Sequence, residues 1–167
     1  SISADFAIWP RGWQQAAASW LAKRQDGGFT REVLSHFLFL TRRQLGPLTL
    51  TSAQATYPAG DGAETAIRAE MTAGGVPVTV TGTVGRTTAD ETNEWLLSCQ
   101  GGAISLRNWS IAEKQAEDGA WATAPDALPN ETMRPLVLQG QLDKLAALTR
   151  GETTNLATLR EALEVQE

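Results

Sequence analysis

The chain has 167 residues, 42% hydrophobic and 20% charged, enough for one globular domain with a proper core and neither disordered nor membranous. Net charge is −5, with six Lys and Arg against three Asp and Glu in residues 1–50 and eight against sixteen after, a balance that argues against nucleic acid. One cysteine, Cys99, excludes an internal disulfide and fits a reducing cytoplasm; with the single histidine, His36, it is too small a set for structural zinc.

Along the chain, residues 12–25 (GWQQAAASWLAKRQ) read as an Ala-rich helix with Trp13, Ala16, Ala17 and Trp20 at helical spacing. Asp26-Gly27-Gly28 ends it, and Thr30 is placed to cap a second helix to about Leu45, stopped by Gly46-Pro47. Its stretch VLSHFLFL is apolar nearly all round, which predicts a buried helix. The period then changes to two, and five strands are expected at 48–57, 63–73, 76–84, 94–100 and 103–110. Gly74-Gly75 and Gly101-Gly102 read as two-residue hairpin loops, so the sheet is mostly antiparallel.

The strand faces differ. Ile67, Ala69 and Met71 oppose Arg68, Glu70 and Thr72, and the valines at 78 and 80 oppose Thr79, Thr81 and Thr83. The Thr-rich face is either solvated or a partner surface. After a loop over 117–130, Leu138, Leu142, Leu145 and Leu148 mark a helix ending at Gly151; Leu156, Leu159 and Leu163 mark a last one that runs out at Glu167. Helices, then strands, then helices give an α+β class: an open, mostly antiparallel sheet with helices packed on one face. No segment reads as a membrane span or a signal core, and with no initiator Met the chain reads as a piece of a longer protein.

Candidate chemistry centres on Glu32 and His36, which share a helix face at i and i+4. A carboxylate beside an imidazole suits a proton relay, although Glu32 is also favourable simply in a first helical turn. Neither group is cheap to bury among Phe37, Leu38, Phe39 and Leu40 unless paired. Arg11, Trp13 and Asn108 are candidate substrate contacts, while Trp9, Trp13 and Trp20 also read as core and Arg42-Arg43 as a solvated helix end. No Gly-rich phosphate loop exists, Gly60-Asp61-Gly62 reads as a turn, and no nucleophile elbow supports a triad around His36.

From GGFTREVLSHFLFLTRRQLGPLTLTSA onward the sequence resembles the C-terminal domain of the glucose–fructose oxidoreductase/inositol dehydrogenase (Gfo/Idh/MocA) family of NAD(P)-dependent oxidoreductases. A glycine-led turn, an acidic-x-x-x-His helix, Gly-Pro and a long strand carry it. YPAGDGAETA, GGVPVTVTGTVG, GAISLRNWS, RPLVLQGQLDKLAAL and LATLREALEVQ extend it over nearly the whole chain. The resemblance implies a two-domain enzyme whose N-terminal Rossmann domain, with the nicotinamide cofactor and a catalytic lysine, is absent from residues 1–167. Glu113-Lys114 is followed by Gln115 and is not the family's Glu-Lys-Pro motif.

It further implies that His36 binds or protonates the substrate oxygen, with Glu32 in place of the usual aspartate, and that Gly27 and Gly28 let cofactor or substrate approach. The open sheet face, with Thr79, Thr81 and Thr83, would join subunits. The expected function is substrate binding and dimerisation for hydride transfer, with NAD or NADP, to or from a sugar, cyclitol or polyol in the cytoplasm. The fragment alone is expected to be inactive. The alternative is a non-catalytic ligand-binding or regulatory protein on the same scaffold.

Overall fold

The protein is described by a computed structural model for residues 1–166. Eight strands form one sheet: β1 (Ile2–Phe6), β2 (Leu48–Thr56), β3 (Ala66–Ala73), β4 (Val76–Val84), β5 (Glu91–Cys99), β6 (Gly102–Arg107), β7 (Ile111–Gln115) and β8 (Trp121–Thr123). Their spatial order is β2-β3-β4-β1-β5-β6-β7-β8, antiparallel throughout except for β1 against β4. Three strands exceed the five expected. β1 is too short to stand out by period alone, yet it takes the centre of the sheet, with Ile2, Ala4 and Phe6 buried. β7 and β8 lie in stretches without apolar alternation and extend the sheet at its edge.

Gly74-Gly75 is the two-residue loop joining β3 to β4, both glycines at positive φ. In the second hairpin Cys99 pairs with Gly102, so the loop is Gln100-Gly101 rather than Gly101-Gly102. The two faces divide as the alternation predicts. Ala69, Met71, Val78, Val80 and Trp95 join the core, while Thr79 donates to Glu70 (2.8 Å) and Thr83 to Asp5 on the polar face.

The core face is covered by a wide π-turn over Thr30–Leu34 that runs directly into helix α1 (Ser35–Leu45). Phe29, Val33, Leu34 and Phe37 point into the sheet, each side chain contributing about 1.5–3 kcal/mol by burial. Trp95 fixes the helix further along, its indole N–H donating to Thr41 Oγ1 at 2.8 Å. Leu38, Phe39 and Leu40 are only partly buried and His36 is exposed, so the helix has a wet side that its composition hides. Thr30 is not the cap: Glu64 reaches in from beyond the second strand and accepts the Thr30 backbone N–H at 2.7 Å.

The segment 12–25 is not a helix. Pro10 and the Gly27-Gly28 pair bound a loop with two short 3-10 turns, Gly12–Gln14 and Ser19–Ala22. Its apolar spacing faces outward: Trp13 is 62% and Trp20 50% exposed, whereas Arg11 and Gln14 are buried. Of the three tryptophans read as core, only Trp9 packs against it.

Two helices close the chain, α2 (Asn130–Thr149) and α3 (Leu159–Gln166). None of α2's residues is buried, and Leu138, Leu142, Leu145 and Leu148 face outward. The reading that carries the last helix to Glu167 ends outside the described residues. α3 docks on α1 by charge. Arg43 forms a two-pronged pair with Glu161 (3.0 Å to each oxygen), Arg42 pairs with Glu164, and Arg43 also donates to the Asn155 and Leu156 carbonyls. Arg42 and Arg43 are therefore a clamp rather than a solvated end.

Two expectations follow from this packing. A Cβ on Gly82 would overlap the Phe29 ring, so Gly82→Ala should lower stability by about 1–3 kcal/mol, read as a lower urea midpoint with an unchanged slope. Glu161 has its carboxyl pulled down to about 2, first by the Arg43 hydrogen bond and then by the Thr158 N–H. A carboxyl depressed in the folded state contributes fully above its ordinary value of 4.5, and the contribution is lost as pH falls through about 2. Hydrogen exchange should therefore show α3 protected above pH 4.5 and released near pH 2. Glu161→Gln should release it at neutral pH with the sheet amides unchanged.

Candidate functional site

The end of β1, the start of β5, the β6–β7 turn, the Arg11 loop and the first turns of the π-turn and α1 converge at one end of the core face. Arg11 is the hub. It is buried, with Nε donating to Gln14 Oε1 (2.8 Å), Nη1 to Glu91 Oε2 (2.6 Å) and Nη2 3.5 Å from Glu32. Gln14 Nε2 donates to the same Glu32 oxygen at 3.1 Å. Glu32 thus turns toward the loop; among the described residues no hydrogen bond joins it to His36. One guanidinium faces two carboxylates, which leaves the cluster with a modest negative charge.

Behind Arg11 the network continues into the sheet. Glu91 Oε1 accepts from Asn93 Nδ2 at 2.8 Å, and Asn93 Oδ1 accepts the Trp109 backbone N–H at 3.1 Å. Trp109 lies between two helix side chains, stacked on Phe37 at 5.0 Å and edge-on to His36 at 5.7 Å. Asn108 and Trp109 have φ of 48° and 71°, left-handed values that cost a non-glycine residue about 1–3 kcal/mol each. In front, exposed Trp13 has the Arg11 guanidinium 5.1 Å from its ring centre and that of Arg134 from α2 at 5.9 Å.

Of the expected site residues, Arg11, Trp13 and Glu32 come together directly. His36 joins them through Trp109. The Asn108 side chain lines a separate cleft of about 270 Å³ on the polar sheet face, with Ser3, Glu94 and Arg107. A second cleft, about 290 Å³, lies on the far side of the helix between Arg31, Tyr57, Glu64 and Val165. Neither cleft is lined by His36.

Gly27 and Gly28 serve the protein itself. A side chain on Gly27 would strike the Leu21 backbone, and one on Gly28 (φ 99°) would strike Glu64, so protein rather than ligand makes the close approach. Gln14, Glu91, Asn93 and Arg134 escape sequence reasoning. In ETNEW, Glu91, Asn93 and Trp95 alternate onto one face, a period-two signal that can reveal an inward face but not its polar partners. Among the described residues no three His, Cys, Asp or Glu gather to hold a metal ion, and no helix is long and apolar enough to cross a membrane.

By sequence, no family model and no curated protein matches the chain. By structure it resembles the dehydrogenase MviM from Clostridium difficile, with TM-score 0.70 and 6% identity over 99% of this chain and 50% of that one. The WlbA dehydrogenase from Bordetella pertussis, in complex with NADH and UDP-GlcNAcA, matches with TM-score 0.67 and 16% identity over 99% and 50%. Levoglucosan dehydrogenase with NADH and L-sorbose matches with TM-score 0.69 and 9% identity over 98% and 52%. The fold is thus one shared with these dehydrogenases, and the chain spans about half the length of the structures it matches.

Removing the hub leaves Glu91, whose side chain is 13% exposed, without its cation. Arg11→Ala should therefore cost about 3 kcal/mol, near the penalty for breaking a buried pair, whereas Glu32→Gln on the exposed side should cost less than about 1 kcal/mol. Chemical denaturation of the two variants side by side checks the difference.

Proposed function

We propose that this chain is the substrate-binding domain of a nicotinamide-dependent oxidoreductase acting on a sugar, cyclitol or related polyol. The observation that carries the reading is the exposed His36 at the head of α1, beside the Arg11–Glu32 cluster, on a fold whose solved examples hold NADH with UDP-GlcNAcA or with L-sorbose. A sealed core histidine would have pointed the other way.

The chain has no glycine-rich diphosphate loop, and neither cleft is lined by His36, so dinucleotide binding is assigned to a partner domain outside these 167 residues. The exposed leucines of α2 offer an apolar surface for such a domain. NAD or NADP held there supplies the redox chemistry. His36 binds the reacting oxygen and passes its proton, Trp13 offers an aromatic face to a sugar ring, and Glu32 accepts a hydroxyl hydrogen bond with its charge held by Arg11. The polar sheet face with Thr79, Thr81 and Thr83 is assigned to subunit contact.

The second reading, a binding or regulatory protein without catalysis, is favoured by one feature: Glu32 is spent on Arg11 and Gln14, leaving His36 without a carboxylate partner among the described residues. Turnover separates the two. The full-length protein should oxidise a member of a sugar and polyol panel with NAD+ or NADP+. His36→Ala should lower kcat by about 100- to 10,000-fold without loss of fold. The 167-residue chain alone should show none, and turnover by it would falsify the assignment of the cofactor to another domain.

A further inference from the structure

We propose that Trp109 is a positioning residue for His36, and that the left-handed Asn108–Trp109 turn exists to set its indole against the imidazole. The proposal rests on the catalytic reading of His36 given above. A tryptophan at φ 71° following an asparagine at φ 48° is an arrangement glycine would adopt freely, and neither position holds one. The turn keeps this conformation because it is tied at several points. Asn93, itself buried, accepts the Trp109 N–H through Oδ1 and the Asn108 N–H through its carbonyl, at 3.1 and 3.0 Å. Ser110 donates its hydroxyl to the Leu128 carbonyl at 2.7 Å.

The indole then has one place to go. Phe37 supplies a buried floor at an interplanar angle of 28°, and the next residue back on the helix, His36, meets the ring edge-on at 78°. An exposed imidazole with no hydrogen bond among the described residues would otherwise sample its rotamers freely. The indole removes part of that freedom from the group that must meet a substrate oxygen. Asn93 also donates to Glu91, which holds Arg11, which holds Glu32. The same asparagine therefore sets the turn behind His36 and the ion pair in front of it.

His36 is the chain's single histidine, so its imidazole protons give isolated NMR signals. In the native protein the indole ring current should displace them from free-imidazole positions. Trp109→Ala should return them, Trp109→Phe should leave a smaller displacement, and Asn93→Ala should move them toward free values with the indole still present. The Trp95 indole N–H, bonded to Thr41, reports whether the core remains intact. In the full-length enzyme Trp109→Phe should lower kcat about tenfold with KM nearly unchanged, and Trp109→Ala up to about 100-fold.

Imidazole signals unmoved in folded Trp109→Ala would overturn the proposal. So would wild-type kcat in both Trp109 variants while His36→Ala is inactive, an outcome that leaves the oxidoreductase reading standing. If the native enzyme oxidises no polyol, that reading falls, and the NMR shifts alone decide whether Trp109 positions His36.

Discussion

The contact on which the rest of the molecule depends is a phenyl ring resting on bare backbone. Phe29 is fully buried, lies 5.3 Å from the Phe6 ring and 6.0 Å from Trp9, and occupies the space a side chain at Gly82 would need. That seat fixes where the π-turn meets the sheet, and the turn fixes the heading of Glu32 and His36. Glu64 secures it from the other side by accepting the Thr30 N–H. A helix entering one residue's width higher would lose the Phe37–Trp109 stack and the Trp95–Thr41 hydrogen bond together. Site geometry here is inherited from packing.

The charges are organised the same way, from the inside out. Arg11 and Glu91 are both nearly dry, and a pair in that position is defined by its geometry more than by its net energy. The guanidinium suits it because its donors reach Gln14, Glu91 and Glu32 at once from one rigid plane. Glu32, at the wet end, is held in place while a face stays open to solvent. The outer clamp between α1 and α3 uses the same two-pronged chemistry where water has access, so it orients α3 more than it stabilises the domain.

Much of the sheet was legible because period two is a local property: the Gly74-Gly75 loop and the alternation of Val78 and Val80 with Thr79 and Thr81 depend on near neighbours alone. Segment 12–25 misled for the converse reason. Trp13, Ala16, Ala17 and Trp20 have helical spacing, but spacing does not say which side is wet, and the inward residues are Gln14 and Leu21, with Arg11 just before them. Arg11 can be buried only because Glu91 waits on a strand far along the chain, a partner no local pattern reveals. The candidate site was accordingly half visible. Glu32, His36, Arg11 and Trp13 stand out by type, whereas Asn93 and Glu91 look like any polar pair in an alternating strand.

The central position of β1 bears on how the chain assembles. Ile2–Phe6 is made before both of its sheet neighbours, which begin only at Val76 and Glu91. Until those are made, Ile2 and Phe6 have no neighbouring strand to pair with. Folding is then governed by long-range pairing, slow by its topology, and the unpaired first strand is the element most exposed to wrong partners on the way.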